Sequence, residues 1–573
     1  MNDNKLNNKR NLIIAGIAIS ISISIILSII IIFYTNINKN SNETNSYNEN
    51  ENVDEYSQRG SVNNNKTSDG KQIPIEYTPH LCGSSFEKIT DFIVEYSIPF
   101  PCSQPVGIAI DNNNKAWIAA TWVGYLLVFD PKINYFSDFI EIPNWKTKGM
   151  FGSMVWGMDF DKNGDLWFTD QENNAIWRYF LSEKKFEMYK IPTRGAYPAS
   201  IEFDFEGNVW FSEIFGKKLG SLNPSLAENN TTKGIREYEF EDLVNHKITT
   251  MGPASINNNN NNNKINNSKK DTVWFSAVDY PYNGSIVNYN ITSKKFNVFQ
   301  LTKEAGIPIS IIEDNKEKLW INDHATSLFF KFDPKSSQIK KYATSLPSTR
   351  NNTSSLPYFN EYREGKIWFN GHEGNTIGYF DPENDTMVEY HIPTRSKIWG
   401  NTSNPLKFAI DNTGSIYFTE WTENKIGILN SSGIDKIPIL MNISKNVIEL
   451  NSRENKGDTI NISLYNNNQI NNKNNETDLI KLNNNNKKES DDKVKMLVSS
   501  SISKSGILWN ITGSFSKEEF LISEINPTAT MPYNLILEVK PTKNVVSANY
   551  TLTISARYEN IITYSKILDM IIR

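Results

Sequence analysis

Short apolar strands and polar turns recur along this chain with a period of about 40 to 50 residues. In each unit an inner strand of small and apolar residues precedes a turn rich in Asn, Asp and Gly, and a second strand carries a Trp-Phe pair or a close relative. The stretches Gly157–Pro192 and Phe408–Leu429 show the pattern clearly. Four short strands per unit predict β-propeller blades, which stack around a channel because a single blade leaves its faces uncovered.

The repeat predicts seven blades within a propeller domain spanning residues 81–440. Before the first blade, Phe92–Pro99 has the pattern of an outer fourth strand, so we expect it to close the ring against the last blade and hide both sheet edges. The predicted blades are Pro105–Pro143, Met154–Pro192, Pro198–Phe240, Gly252–Leu301, Gly306–Thr344, Leu356–Pro393 and Asn404–Leu440.

The repeat stops at Leu440, and residues 441–573 predict a small Ig-like β-sandwich with an Asn-rich insertion at 466–491. No Cys-Trp-Cys signature accompanies it. The predicted strands are Asp458–Tyr465, Val494–Ser501, Ile507–Phe515, Tyr533–Val539 and Tyr550–Ile554. The fold class predicted for the whole chain is all-β, with one N-terminal transmembrane helix.

That helix is predicted at Leu12–Tyr34, an uncharged apolar run long enough to span a hydrocarbon core of about 30 Å. Basic residues precede it, so residues 1–11 are expected in the cytoplasm and the bulk of the chain outside the cell membrane. A cleaved signal peptide is the alternative, but the run is long for one and no Ala-x-Ala site follows. Residues 35–80 are expected to be a disordered Asn-rich tether.

Charge and cysteine content narrow the partners and the compartment. The formal net charge is −5, and no basic stripe suggests nucleic acid binding. Cys82 and Cys102 are the only two cysteines, and a disulfide between them is expected outside the cell, with two free buried thiols as the alternative. Several Asn-x-Ser/Thr triplets are compatible with glycosylation, although many arise by chance in so Asn-rich a chain: Asn283, Asn352, Asn510 and Asn549.

Propeller geometry brings the residue after each Trp-Phe-x, and the residues just before each inner strand, to one mouth of the channel. Carboxylates gathered there would suit a hard cation, Mg²⁺ or Ca²⁺, unless each acid caps its own turn or pairs with a nearby Lys or Arg. The equivalent positions after Trp-Phe-x are Ala120, Asp170, Glu213, Ala277, Asp323, Gly371 and Glu420, of which the candidate metal ligands are Glu420, Asp323, Glu213 and Asp170.

His324 and His372 follow that position in adjacent blades, so we expect them to lie close together. Either could act as a base or face a ligand, and the alternative is two loop histidines on a wet surface. Aromatic and basic residues before the inner strands suit an amphipathic or anionic ligand, although loop packing explains about half of such residues equally well. The candidate substrate-binding residues are Trp156, Arg194, Tyr197, Tyr358, Arg395 and Trp399, and Arg350 and Lys407 share their location.

The repeat unit, seen in full in the YFTEWTENKIGIL stretch that ends at Leu429, resembles that of the virginiamycin B lyase (streptogramin B lyase) family over Pro105–Leu440. The resemblance implies elimination across an ester of a cyclic depsipeptide, with a divalent ion polarising the ester and a His as base. Glu420 matches one metal ligand of the family. Asn404-Pro405-Leu406 stands where the family has Glu-Pro-His. The family also has a substrate-binding His one blade earlier, at the entry to the inner strand, and the sequence around Tyr358 has no His at that place.

These observations support three hypotheses of function. The first is a metal-dependent lyase acting on an ester or lactone, with His372 or His324 as base. The second is a non-catalytic surface module that binds a small molecule or a protein. The third is a hydrolase of the gluconolactonase type with bound Ca²⁺, against which seven blades argue. We expect a monomer that meets the membrane only through its own helix.

Overall fold

The computed structural model describes thirteen stretches of the 573-residue chain. All of them lie in the second of its two units, Asn65–Arg573. The predicted anchor and tether fall outside them, and no helix among the described residues is long and apolar enough to cross a membrane. The described residues are 83, 86–100, 102–145, 154–239, 248–256, 272–279, 283–348, 354–396, 400–434, 436–467, 493–525, 532–542 and 545–573, with the side chains of 248–256, 279 and 283 left out.

Short antiparallel strands make up most of the described chain up to residue 429. They form successive four-stranded sheets, and one of these sheets extends further. In chain order the strands are β1 (Ile93–Ser97), β2 (Pro105–Ile110), β3 (Ala116–Ala120), β4 (Tyr125–Asp130), β5 (Tyr135–Glu141), β6 (Met158–Phe160), β7 (Leu166–Asp170), β8 (Ala175–Phe180), β9 (Lys185–Lys190), β10 (Pro198–Phe203), β11 (Val209–Glu213), β12 (Lys218–Leu222), β13 (Ile235–Glu239), β14 (Ile248–Ile256), β15 (Thr272–Asp279), β16 (Asn283–Asn290), β17 (Lys295–Gln300), β18 (Pro308–Glu313), β19 (Leu319–Asp323), β20 (Leu328–Asp333), β21 (Gln338–Ala343), β22 (Pro357–Arg363), β23 (Lys366–Gly371), β24 (Thr376–Asp381), β25 (Thr386–His391), β26 (Pro405–Ile410), β27 (Ile416–Glu420) and β28 (Lys425–Leu429).

The first strand of each sheet lies innermost. The inner strands β2, β6, β10, β14, β18, β22 and β26 contact one another in turn, and β26 returns to β2. The last sheet has the order β26-β27-β28-β1, with Ile93 opposite Leu429, so the segment before the first blade supplies its fourth strand. This pairing confirms the predicted ring closure and the propeller-like, nearly all-β architecture. The blade count of seven stays a prediction, since the links at 146–153, 240–247 and 257–271 lie outside the described residues.

Five of the described turns between the first two strands of a sheet are built around an aspartate of the repeat: Asp111, Asp161, Asp204, Asp314 and Asp411. In the second sheet, the Asp161 carboxylate accepts hydrogen bonds from the backbone N–H groups of Asn163 and Asp165, and from Trp167 Nε1 at 3.0 Å. The same Trp–Asp bond occurs in three further sheets. The aspartate thus satisfies the turn and orients the Trp that packs between sheets, which explains why both residues recur.

Residues 431–573 form a short helix and a second β-domain. Its strands make two sheets around a shared core that includes Ile462, Leu537 and Leu552. In chain order the elements are α1 (Ser431–Ile434), β29 (Ile439–Ile443), β30 (Val447–Leu450), β31 (Asp458–Asn466), β32 (Lys493–Ser500), β33 (Ile511–Phe515), β34 (Glu519–Leu521), a 3₁₀ turn (Ile522–Glu524), β35 (Tyr533–Pro541), β36 (Ala548–Tyr558) and β37 (Ile562–Ile572). The Ig-like class of this domain stays a prediction, and most of the predicted insertion lies outside the described residues.

The two domains share one sheet. Strand β37 pairs antiparallel with β25, the outer strand of the sixth propeller sheet, with Thr386 opposite Lys566 and Tyr390 opposite Ile562. The resulting nine-stranded sheet runs β22-β23-β24-β25-β37-β36-β32-β34, and β30 pairs with β37. The C-terminal domain therefore covers a propeller edge that would otherwise present unpaired backbone groups.

Candidate functional site

Aromatic side chains converge where the inner strands begin, at one mouth of the channel. The Trp156 and Tyr358 rings lie 6.3 Å apart across the mouth. Trp156 Nε1 donates to Gln171 Oε1 at 3.3 Å. Tyr197 packs on Phe215 at 4.6 Å. Burial raises the pKa of Tyr358, and the neighbouring Tyr197 raises it further. Three predicted substrate-binding residues thus lie close together, because each stands at or just before the start of an equivalent inner strand.

A histidine pair adjoins this aromatic surface. His324 Nε2 and His372 Nδ1 lie 2.8 Å apart, and their rings stack with centroids 5.1 Å apart. The His324 ring also meets Tyr358 edge-on at 4.8 Å. Residues after the second strand of adjacent blades occupy matching places, so the predicted proximity of the two histidines is confirmed.

Both imidazoles are neutral at neutral pH. Burial, and then the neighbouring His372, hold the pKa of His324 well below its usual range. Burial lowers the pKa of His372 to about 4, while the side chain of Asn404 acts in the opposite direction. A neutral pair sharing one hydrogen bond has one ring donating and the other accepting.

The far side of His372 meets the side chain of Asn404, which raises the His372 pKa by hydrogen bonding. His372 Nε2 and Asn404 Oδ1 are both buried, and neither makes a well-aligned hydrogen bond to any other group in the described part of the chain. If His324 donates to His372 Nδ1, the proton of His372 sits on Nε2, which then offers a donor beside the Asn404 acceptor. A ligand group inserted here would meet one donor and one acceptor with no net charge.

Asp170 and Asp323, two of the four candidate metal ligands, are occupied within their own turns. Asp170 accepts hydrogen bonds from the Asn173 backbone and side chain, and from Trp177 Nε1 at 2.8 Å. Asp323 accepts from the backbone N–H groups of Gly306 and Ile307, both at 2.7 Å. These contacts match the turn-capping alternative weighed against a cation site for each acid.

The two glutamates at the equivalent position are buried without such contacts. Both carboxylate oxygens of Glu213 and of Glu420 lack a hydrogen-bond partner in the described structure. Burial, and then the charge of Glu237, raise the pKa of Glu213 to about 8. Burial, and then Glu95, raise the pKa of Glu420 well above its usual range, although Lys425 opposes this shift.

Protonation explains Glu213 directly. As a carboxylate it has only acceptors, and Glu237 beside it is also an acceptor, held by Thr193 and by Lys218 Nζ at 3.0 Å. As a carboxylic acid, Glu213 can donate a hydrogen bond to Glu237, which raises its pKa further. For Glu420, burial outweighs Lys425 and the Ser403 side chain, which both lower the pKa.

Among the residues that the structure describes, no group of three or more His, Cys, Asp or Glu side chains is arranged to hold a metal ion. The atoms that would suit Mg²⁺ best are the oxygens of Glu420 and Asn404 Oδ1, which are buried and unpaired. This donor set has a single carboxylate, which fits the ion only in part.

The remaining predicted site residues do not join the aromatic mouth. Arg194 is exposed. Arg395 donates to Ser348 Oγ at 2.8 Å; burial, and then the charges of Arg557 and Arg395, hold the pKa of His391 well below its usual range. Cys102 is disulfide-bonded and buried. Three predicted residues lie outside the described residues: Cys82, Arg350 and Trp399.

Sequence reasoning missed several polar residues of the channel wall. Asp159, Glu361 and Lys407 all lie on inner strands and line one cavity. Lys407 was placed at the mouth from its position before the strand, but it faces the channel instead. The missed signal was a charged residue at an inner-strand position that other blades fill with Ala or Ile.

Comparisons with known proteins give likenesses in shape only. No protein-family model and no curated protein matches the chain. A streptogramin B lyase structure is 21% identical over 59% of this chain and 97% of its own, with a TM-score of 0.45. Virginiamycin B lyase from Staphylococcus aureus is 21% identical over 59% of this chain and 98% of its own, with a TM-score of 0.46. The extracellular domain of a putative one-component system from B. thetaiotaomicron is 15% identical over 82% of this chain and 57% of its own, with a TM-score of 0.41. Scores this low carry no argument about function.

Proposed function

We propose that this protein is a non-catalytic binding module whose propeller mouth takes a small, largely uncharged and aromatic-rich ligand. The observation that carries the proposal is the mouth itself, where Trp156, Tyr197 and Tyr358 surround a neutral His324–His372 pair. Concave, mostly apolar surfaces with a few convergent polar groups are typical of small-molecule sites. The apolar run at Leu12–Tyr34 supports display of this mouth outside the cell membrane, and the exposed Asn510 and Asn549 are open to glycosylation there.

Binding is favoured over base catalysis by the state of the histidines. A general base works best when its pKa lies near the working pH, and that of His372 is lowered to about 4. The position where the lyase family has its catalytic His is Leu406, which packs in an apolar cluster with Val106 and Met154. No side chain at that position can therefore remove a proton.

A second candidate function, a lyase acting on an ester or lactone with Mg²⁺ or Ca²⁺, is supported by Glu420 alone. Its unpaired buried carboxylate matches one metal ligand of the resembled family, and Asn404 adds an amide oxygen. A bound divalent ion would polarise an ester carbonyl. Because the donor set fits the ion only in part, we derive no reaction step through it.

One titration separates these functions and the hydrolase alternative. The full-length protein in detergent is mixed with quinupristin, a cyclic depsipeptide, with and without Mg²⁺. Trp fluorescence is followed, and the peptide is analysed by chromatography with fragmentation mass spectrometry, which distinguishes an opened ring of unchanged mass from the intact ring. Saturable quenching with an intact ring is expected, weakened at least tenfold in Tyr358→Ala. Ring opening without a mass change would establish a lyase, and gain of one water would establish a hydrolase. If neither quinupristin nor a panel of aromatic peptides and lactones changes the fluorescence saturably, the binding proposal fails.

A further inference from the structure

The inner strands enclose a second site below the mouth. A cavity of about 310 Å³ is lined by residues of β2, β6, β10, β18, β22 and β26. Cavities of about 300 Å³ and above are large enough for small metabolites. Trp156 at its upper end is the residue that it shares with the mouth, while the histidine pair is not part of its lining. The cavity therefore needs its own chemical explanation.

Strand register defines one layer of residues around this cavity. Each residue of the layer lies directly opposite the Trp or Tyr of the neighbouring second strand. In chain order the layer contains Ala109, Asp159, Glu202, Ile312, Glu361 and Ala409. Three of these strands thus place a carboxylate where the other three place Ala or Ile, and β14 has Ser255 at the equivalent position opposite Trp274. Strand β14 carries no ionisable residue in its sequence, so it adds no charge to the channel.

The charge of Asp159 acts on Glu361 across the channel. They lie on β6 and β22, and the residues Trp156 and Tyr358 just above them bring their rings to 6.3 Å. Asp159 is reached by solvent within the channel yet lies deep in the protein, and this removal from bulk water raises its pKa to about 6. Burial, offset by Arg363, and the charge of Asp159 raise the pKa of Glu361 to about 7.

Lys407 is the independent observation that points to a ligand. Its side chain is only 9% exposed and lines the same cavity, with Nζ 4.0 Å above the Phe359 ring. Within the described residues its ammonium makes no hydrogen bond or ion pair; burial lowers its pKa to about 8, and the charge of Glu202 acts in the opposite direction. A buried ammonium left with an aromatic face alone lacks the acceptors it had in water.

Lys407 precedes the layer position of its own strand, Ala409, by two residues, a rise of about 6.6 Å. The cavity therefore carries a cation at one level and three carboxyl groups at the next, those of Asp159, Glu202 and Glu361. A plain anion would leave Asp159 and Glu361 unpaired, and a plain amine would be repelled by Lys407. A molecule with both charges, separated by a few carbon atoms, would satisfy both levels.

We propose that this channel binds a small zwitterion, with its anionic group paired to Lys407 and its ammonium group between Asp159 and Glu361. The proposal does not depend on the function of the mouth, since it rests on different residues. The chemical class is an ω-amino acid, whose carboxylate and ammonium lie at opposite ends of a short chain.

The test is calorimetric titration of the full-length protein in detergent at neutral pH with a series from glycine to 6-aminohexanoate. Butyrate and butylamine, which each keep one charge of 4-aminobutyrate, are the matched controls. We expect saturable binding of at least one ω-amino acid, at least tenfold tighter than either control. Lys407→Met should weaken it at least tenfold, and Glu361→Gln should weaken it too. Glu364→Gln, an exposed change on the same blade, should leave it unchanged.

Several results would overturn the proposal. Equal binding of butyrate and 4-aminobutyrate would reduce the channel to an anion site at Lys407. Unchanged binding in Lys407→Met would place the ligand elsewhere, and absence of binding across the series would show that the cavity takes no such ligand. Thermal unfolding of each variant shows whether a loss of binding reflects a misfolded protein. If Lys407→Met does not fold, butyrate competition against 4-aminobutyrate in the wild type decides the same point.

Discussion

The acids at one repeat position have two different environments, although the backbone delivers all of them to the same place. Asp170 and Asp323 bind the N–H groups of their own loops, whereas Glu213 and Glu420 have no hydrogen-bond partner in the described structure. One extra methylene carries the glutamate carboxyl past the turn amides that an aspartate reaches. Side-chain length therefore decides whether this position stabilises a turn or leaves a buried acid available for other interactions.

Removing the Asp323 carboxylate should have the largest effect on stability. Asp323→Ala strips the acceptor from the backbone N–H groups of Gly306, which is buried, of Ile307, which is partly buried, and of Ala325 in the exposed turn after β19. Buried donors left without acceptors cost about 1–3 kcal/mol each, so we expect a loss of about 3 kcal/mol or more. Urea unfolding of the full-length protein measures it. Asp323→Asn, which keeps one acceptor oxygen, should lose less, and equal losses would contradict the turn-capping role.

Lengthening the aspartate tests the comparison directly. Asp170→Glu keeps the charge, but its carboxyl can no longer bind Asn173 and Trp177 Nε1 together, and the side chain is fully buried. We expect a loss of about 1–3 kcal/mol from strain and lost hydrogen bonds. Thermal unfolding compares it with Glu172→Asp, a change of acid length two residues along the same loop. A wild-type stability in Asp170→Glu would show that length is not the deciding factor.

Sequence reasoning could predict the parts of this molecule that follow from the repeat. The Trp167–Asp161 turn, the closing strand β1 and the proximity of His324 and His372 all depend on equivalent positions, which a periodic sequence reveals. The β25–β37 pairing could not be predicted, because a sheet edge is joined by backbone groups that leave no side-chain pattern. Arg395 was misjudged because a position after a strand does not determine where a long side chain points.

Glu213 should make stability depend on pH. Its pKa rises from 4.5 to about 8 on folding, so the folded state holds a proton that the unfolded state releases. This contribution to stability is fully present below pH 4.5 and is lost as the pH rises toward 8, by an amount on the order of a few kcal/mol. Glu213→Gln keeps a donor toward Glu237 and should show a smaller fall in unfolding temperature between these pH values.

The matched control for this pH dependence is Glu206→Gln, an exposed glutamate of the same sheet. Its unfolding temperature should depend on pH as in the wild type, because both proteins keep Glu213 and the other carboxyl groups with a raised pKa, such as Glu361 and Asp159. A Glu213→Gln curve parallel to the wild type would mean that Glu213 is ionised in the folded state and has a partner.

The substitution Glu420→Gln should change the stability least of the variants considered, and it gives the clearest test of function. Without a cation it is expected to be protonated, so Glu420→Gln replaces one neutral group by another and should alter stability at pH 5 by less than about 1 kcal/mol. With Mg²⁺ or Ca²⁺ added, the unfolding temperature of a metal-binding wild type would rise through mass action, and that of Glu420→Gln would not. We expect neither protein to respond, because one carboxylate and one amide are a poor site for a hard dication. A rise confined to the wild type would show that the longer acid at this position holds a metal, and it would favour the lyase over the binding module.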